Sequence, residues 1–142
     1  MTFVESIGAW WYHSHYVHRI LAALIKDTGR TVLIRGGIRL TGGMLAKSIL
    51  ADASLLRRNG IGHGSVVAIL TQPNHPIMLT VRYAAHLLGA TTVCIRSDNA
   101  RSDDRMLAAD DQARMLAETG ACLLVADSAS AERARVVPEP GV

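Results

Sequence analysis

The stretch that decides the fold is residues 65–96, SVVAILTQPNHPIMLTVRYAAHLLGATTVCIR. Its first part, Val66–Leu70, is a short, continuous apolar run rich in β-branched residues, as expected of a strand that is covered on both faces. Residues 91–95 have the same character. The residues between the two runs follow a helical period, so the stretch predicts a strand, a crossover helix and a second, parallel strand.

Local signals mark both ends of this helix. Asn74 can accept a hydrogen bond from the first helical turn, and Pro76 lacks an N–H group that this turn would leave unpaired, so a start at residue 74 or 75 is predicted. Gly89 suits the left-handed residue that follows a helix. The helix is predicted to have two faces. The apolar stripe that packs on the sheet contains Ile77, Val81, Ala84, Ala85 and Leu88. The polar face contains His75, Arg82 and His86.

Composition indicates one folded domain with its own core, since 49% of the 142 residues are apolar and 19% are charged. Cys94 and Cys122 are predicted to lie in buried strands, where a thiol acts as a small hydrophobe, so neither a disulfide nor a metal site is indicated. No apolar span of about 18 residues and no basic leader are present, which favours a cytoplasmic protein with no membrane contact. The net charge is +3, but the arginines are scattered, so nucleic acid is not predicted as a partner.

The residues before this stretch predict two helices and a hairpin. Residues 31–41 read as a β-hairpin because Gly36 and Gly37 allow a two-residue turn with positive φ. A helix that Asn59 and Gly60 terminate comes next, with a buried stripe of Leu45, Ile49, Ala53 and Leu56. An N-terminal helix is predicted over residues 1–29, with one face formed by Ile7, Trp10, Trp11, Ser14, Val17, His18, Leu21, Leu24 and Ile25.

The residues after the stretch 65–96 continue the alternation of strands and helices. Ser102 is predicted to cap a helix that runs to about Glu118 and that Gly120 ends. Residues 121–127, ACLLVAD, predict a third buried strand, and Val136 and Val137 the start of another. The whole predicts an α/β fold: an open, mostly parallel sheet flanked by helices, with a small β-hairpin near residues 31–41. We expect one subdomain over residues 1–142, with a linker or truncation point at 138–142.

A series of motifs occurs in a recognisable order. They are a Leu-Thr turn, a helix ending Leu-x-x-x-Gly, a Gly-x-x-x-Val-Ala-Ile strand, a Pro-Asn turn and an Ala-x-x-Leu-Gly-Ala-x-x-Val joint, at 40–41, 56–60, 64–69, 73–74 and 85–93. This order resembles the N-terminal region of the adenylate-forming (AMP-binding) enzymes, which include acyl-CoA synthetases, nonribosomal-peptide adenylation domains and luciferases. The resemblance covers about residues 30–127. Gly42-Gly43, Ser65 and Cys94 depart from the family pattern.

The resemblance implies an N-terminal fragment of an ATP-dependent acyl- or aryl-CoA synthetase. Such enzymes activate a carboxylic acid as an acyl-adenylate and then form a thioester, with ATP, magnesium and coenzyme A as cofactors of the full-length protein. A carrier-protein thiol is an open alternative to coenzyme A. The implied partners are the remainder of the same enzyme or a second copy of the chain.

The family's phosphate loop, its Tyr-Gly-x-Thr-Glu segment, its ribose-binding Asp and its C-terminal Lys are not found in this sequence. The glycine-rich spots RGGIR, TGGM and GIGHG fit tight turns better than a phosphate loop. We therefore expect no catalytic residue in this chain, no tightly bound cofactor and no activity of the chain alone. The alternative is a free-standing, non-catalytic binding or interaction module that kept the α/β fold.

Candidate site residues can be placed from the predicted topology. Ligands of open α/β sheets bind outside the carboxyl ends of the strands, so a substrate or cofactor would be lined by Gln72, Asn74, His75 and Arg96. No metal site is predicted from His13, His15 and His18, because on a helix they do not converge on one point. Trp10 and Trp11 favour core or subunit packing over ligand binding.

Overall fold

The computed structural model describes residues 15–95 and 107–137. The predictions that concern Ile7, Trp10, Trp11, His13, Ser14, Arg96, Ser102 and residues 138–142 lie outside the described residues. The elements, in chain order, are α1 (Tyr16–Lys26), β1 (Thr31–Arg35), β2 (Ile38–Thr41), α2 (Gly42–Arg58), β3 (Val66–Leu70), α3 (Pro76–Leu87), β4 (Thr91–Cys94), α4 (Ala109–Thr119), β5 (Leu123–Ala126) and α5 (Ala131–Val136).

β3 is the central strand of a three-stranded parallel sheet. It pairs with β4 on one side and β5 on the other, so that Ile69 has Cys94 and Val125 as its two neighbours. The predicted α/β fold, with a parallel sheet flanked by helices, is confirmed. The central position explains why β3 is almost fully buried and reads as an unbroken apolar run.

Helices cover both faces of the sheet. On one face α3 packs Val81 and Ala84 into a core cluster that includes Ile69 and, from α2, Leu56. On the other face Leu116 of α4 packs in a second cluster with residues of β3. The predicted apolar stripes of α2 and α3 are thus confirmed.

The hairpin and the first helix lie beside this layer. β1 and β2 pair in antiparallel fashion, and φ is +54° at Gly36 and +80° at Gly37, as the predicted turn requires. α1 packs on α2 through Val17 and Leu21. Ile25 was predicted on the same face but is 57% exposed, because it lies on the side of α1 that its neighbours leave open.

The residue that caps α3 is His75, and the predicted cap Asn74 is wrong. Nδ1 of His75 accepts a hydrogen bond from the N–H of Ile77 (3.2 Å). His75 precedes Pro76, which forces it into the extended conformation (ψ 133°) that a cap requires. Asn74 instead makes the turn before the cap, in the left-handed region at φ 58°, which Asn tolerates better than most residues.

Other predictions need correction where the solvent side of an element was misjudged. Cys94 and Cys122 are both exposed free thiols, because Cys94 ends the outer strand β4 and Cys122 lies directly before the other outer strand, β5. Val136 belongs to α5 and is 62% exposed, while Val137 packs against the sheet, so the predicted further strand does not begin there.

Two helix starts were also misjudged. The helix that ends near Glu118 begins at Ala109, because residues 107–108 are not helical, and Gly120 ends it in the left-handed conformation as expected (φ 67°). Gly42 and Gly43, predicted as a tight turn, form the first turn of α2 behind the cap Thr41. Neither misjudgement changes the order of the elements.

Candidate functional site

Two loops meet at the carboxyl edge of the sheet, one after β3 and one after β5. Asp127 follows β5 directly and is only 2% exposed. Its Oδ2 accepts a hydrogen bond from the N–H of Gln72 (2.9 Å), and its Oδ1 accepts one from the N–H of Ser130 (2.8 Å). One buried carboxylate therefore ties the β3–α3 loop to the β5–α5 loop.

The imidazole of His75 completes this connection. Its Nε2 lies 3.9 Å from Oδ2 of Asp127, while its Nδ1 accepts the cap hydrogen bond of α3. Burial alone would raise the pKa of Asp127, but the N–H groups of Gln72 and Ser130, which donate to the carboxylate, and the nearby His75 hold that pKa below its ordinary value. The carboxylate is consequently charged at neutral pH.

Replacing Asp127 with Asn is expected to lower the free energy of unfolding by about 2 kcal/mol, because a hydrogen bond to a charged acceptor is lost. The lowered pKa means that the carboxylate stabilises the fold above its ordinary pKa of 3.8, and that this contribution is lost as pH falls through the folded-state value. Urea unfolding at about pH 7 and at a series of pH values descending from 3.8 measures both effects. Asp110→Asn, at the exposed start of α4, is the control, and equal effects of the two changes would contradict the assignment.

The structure brings Gln72, Asn74 and His75 together in one loop at the predicted edge. Gln72 and His75 are half-buried, and Asn74 is exposed. Asp127 was not predicted as a site residue, although an acidic residue directly after an apolar strand run, LLVAD, is a usable signal for this edge. Arg96, the fourth candidate, follows β4 just outside the described residues.

A cavity of about 380 Å³ opens next to this loop, between the hairpin, α2 and the start of α3. Aliphatic side chains dominate its wall, with an arginine and an aspartate among the polar groups. It is lined by Arg35, Ile38, Leu40, Leu45, Ser48, Asp52, His75, Pro76, Ile77 and Thr80. The loop that carries the predicted residues therefore borders a space that could accept an apolar group.

The two helices that border the cavity, α2 and α3, do not offer the phosphates of ATP the free, converging N–H donors that they require. At the start of α2 the N–H of Gly42 donates to the carbonyl of Arg30 (2.9 Å) and that of Gly43 to the carbonyl of Thr28 (3.0 Å). At the start of α3 the N–H of Ile77 is taken by His75. The N–H groups that open α2 and α3 are thus already bonded within the chain itself.

Metal binding and membrane insertion find no support within residues 15–95 and 107–137. In these ranges no cluster of three or more His, Cys, Asp or Glu side chains is arranged to hold a metal ion. None of the helices described there combines the length and the apolar character needed to cross a membrane.

Several solved structures of longer proteins have a similar fold. A putative long-chain-fatty-acid CoA ligase from Rhodopseudomonas palustris has 32% identity and a TM-score of 0.66, over 85% of this chain and 28% of that one. A fatty acyl CoA synthetase from Mycobacterium tuberculosis has 24% identity and a TM-score of 0.70, and the match covers 88% of this chain and 24% of that one. The artificially fused adenylation-PCP di-domain NpsA-ThdA from Klebsiella oxytoca has 24% identity and a TM-score of 0.67, and the match covers 89% of this chain and 21% of that one.

The family of the chain is shown by its sequence rather than by these three structures, of whose length it spans only 21% to 28%. No curated protein matches the chain. The sequence profile of the AMP-binding enzyme family, however, matches residues 22–141, which is most of the sequence. The chain therefore belongs to the AMP-binding enzyme family, as its motifs predicted.

Proposed function

We propose that this chain is the N-terminal α/β part of a larger adenylate-forming enzyme of the acyl- or aryl-CoA synthetase type. The enzyme would use ATP to activate a carboxylic acid as its adenylate and then pass the acyl group to a thiol, of coenzyme A or of a carrier protein. The observation that carries the proposal is the family match over residues 22–141. The similar structures, which are several times longer than this chain, support a larger protein.

In this proposal the chain contributes one wall of the substrate crevice. Gln72, Asn74 and His75 lie at the carboxyl edge of the parallel sheet, where open α/β folds bind ligands, and Arg96 would join them from the end of β4. Asp127 holds the loop in place through the N–H of Gln72. The cavity beside His75 gives this wall an apolar part, which suits the body of an acyl or aryl acid.

Binding of ATP, magnesium and the thiol acceptor is assigned to residues outside the described ranges. The N–H groups that open α2 and α3 are used within the fold, so this part would shape the crevice rather than stabilise phosphate charge. We also propose that the enzyme works in a reducing cytoplasm, since both Cys94 and Cys122 are free thiols.

ATP–pyrophosphate exchange tests the proposal in the longer protein that would contain this chain. A panel of acyl and aryl acids should include at least one that supports exchange. Gln72→Ala and His75→Ala should then lower kcat/KM by about tenfold, the effect of one lost hydrogen bond to the reacting complex. His63→Gln, on an exposed loop, is the control and should leave the rate unchanged.

Two results would count against the proposal in different ways. Exchange that is equally fast in the variants would show that Gln72 and His75 do not line the site. A longer protein that folds but exchanges with no acid of the panel would favour a non-catalytic binding or interaction role for this α/β fold instead.

A further inference from the structure

The cavity of about 380 Å³ combines an apolar wall with polar groups from two helices. Its aliphatic side chains come from the hairpin, α2 and α3, and they are Ile38, Leu40, Leu45 and Ile77. Asp52, the acidic residue of the wall, lies on α2 and is half-buried. The volume is in the lower part of the range for pockets that hold small ligands. The charge on the wall therefore decides which small ligands suit the cavity.

Asp52 has no partner of opposite charge on its own helix. The positions three and four residues away, where a helical ion pair would form, are Ser48, Ile49, Leu55 and Leu56. Within residues 15–95 and 107–137 no ion pair includes Asp52. A carboxylate on the wall of a largely apolar cavity has lost part of its hydration. A cation that enters the cavity would therefore supply an interaction that these residues do not provide.

Two hydroxyl groups add hydrogen-bond acceptors to the same wall. Ser48 lies four residues before Asp52, so both are on the face of α2 that lines the cavity. Thr80, on α3, is buried, and its hydroxyl donates to the carbonyl of Ile77 (3.4 Å), which leaves its oxygen free to accept. A primary ammonium group has three N–H donors and no acceptor. These donors match a wall with one carboxylate and two hydroxyl oxygens.

The positive charge of the cavity lies on its outer side. Arg35 is the last residue of β1 and pairs with Ile38 across the turn of the hairpin. Both residues are exposed, Ile38 by 67%. The guanidinium of Arg35 is therefore hydrated and screened by salt, whereas the half-buried carboxylate of Asp52 is screened less. The inner part of the cavity consequently favours a cation.

We propose that this cavity is a binding site for a small primary ammonium ion with an aliphatic tail. The ammonium group would be bound by Asp52 with the hydroxyls of Ser48 and Thr80, and the tail would pack on Leu40 and Leu45. The inference goes beyond the proposed function, because it concerns the ligand chemistry of the cavity and does not require that a longer protein activates an acid.

Titration of the 142-residue chain with hexylammonium, followed by NMR spectra of the backbone amides, tests the site directly. Hexylammonium should shift amides of residues 45–52 and 76–80 and leave those of α4 unchanged. A dissociation constant in the millimolar range is expected for a ligand of so few atoms. Hexanol and hexanoate have the same tail but not the positive charge, so they should bind at least about tenfold more weakly.

Three variants identify the group that binds the ammonium ion. Asp52→Asn keeps the shape of the side chain and removes its charge, so it should weaken hexylammonium binding by at least about tenfold. Asp110→Asn, at the exposed start of α4, is the control and should leave the affinity unchanged. Arg35→Gln should bind hexylammonium at least as tightly as the unmodified chain, since it removes a charge of the same sign.

Four results would overturn the proposal. Hexylammonium that shifts no amide around the cavity would show that the cavity is not a site for it. Hexanol that binds as tightly would mean that only the apolar wall binds ligands, and hexanoate that binds more tightly would assign the site to anions through Arg35. Equal affinities of the Asp52→Asn and Asp110→Asn chains would show that Asp52 does not bind the ammonium group.

Discussion

Replacing Leu70 with Ala is expected to lower the free energy of unfolding by about 2–5 kcal/mol, the range for truncation of a fully buried leucine. Leu70 is the last residue of the central strand and is 0% exposed. Its side chain packs in a cluster with Ile95, Leu116 and Val137, so α4 and the end of α5 meet the sheet there. The change removes apolar contacts and leaves a cavity where three elements converge.

Urea unfolding followed by circular dichroism measures this loss. Leu55→Ala in α2 is a matched control, because it removes the same atoms from a side chain that is 53% exposed. The control should change stability by no more than about 0.5 kcal/mol. Similar losses at the two positions would mean that β3 is not the central strand.

Replacing Gly42 with Ala is expected to cost about 2–3 kcal/mol, since overpacking strain exceeds the gain of about 1 kcal/mol in helix propensity. A Cβ atom at Gly42 would lie 2.6 Å from the carbonyl oxygen of Leu24 and 2.9 Å from that of Asp27. Both are backbone atoms, so α1 and α2 would have to move apart at the point where they meet.

Gly62→Ala provides the comparison for this prediction. No atom lies within 4 Å of a Cβ at Gly62, and its φ is not in the left-handed region, so the change should be neutral or slightly stabilising. Thermal unfolding of both variants measures the difference in their stability. A Gly42→Ala chain as stable as the Gly62→Ala chain would show that α1 does not approach α2 this closely.

The elements that could be predicted from the sequence are those that local patterns determine. Val66–Leu70 is apolar throughout because it is the central strand, and this burial leaves a direct trace in the sequence. The turn of the hairpin is equally local, since only glycine adopts the φ values of Gly36 and Gly37 at no steric cost. The parallel arrangement was indicated by the intervening helix.

The features that could not be predicted depend on contacts between distant residues. The link from Asp127 to Gln72 spans 55 positions, and nothing in either neighbourhood specifies the other. The exposure of Cys94 and Cys122 depends on which strands lie at the outside of the sheet, which an apolar run does not reveal. The cap of α3 was predicted one residue early, because both Asn74 and His75 can accept the required hydrogen bond.

The candidate site was only partly predicted, because some of its contacts join residues that are distant in the sequence. A single loop contains Gln72, Asn74 and His75, so their proximity is evident from the sequence alone. The wall of the adjoining cavity draws on the hairpin and α2, which tertiary packing brings to this loop. The run LLVAD indicates that Asp127 lies at this edge, but no local pattern indicates its hydrogen bond to the N–H of Gln72.

The central claim is that residues 15–95 and 107–137 form part of the fold of the AMP-binding enzymes, and that the starts of α2 and α3 within them use their N–H groups internally rather than for phosphate. ATP–pyrophosphate exchange by the purified 142-residue chain tests it most directly, with a panel of acyl and aryl acids and magnesium present. The account predicts no exchange above background with any acid, because the N–H groups that open α2 and α3 are already bonded within the fold. Robust, acid-dependent exchange by this chain alone would contradict it.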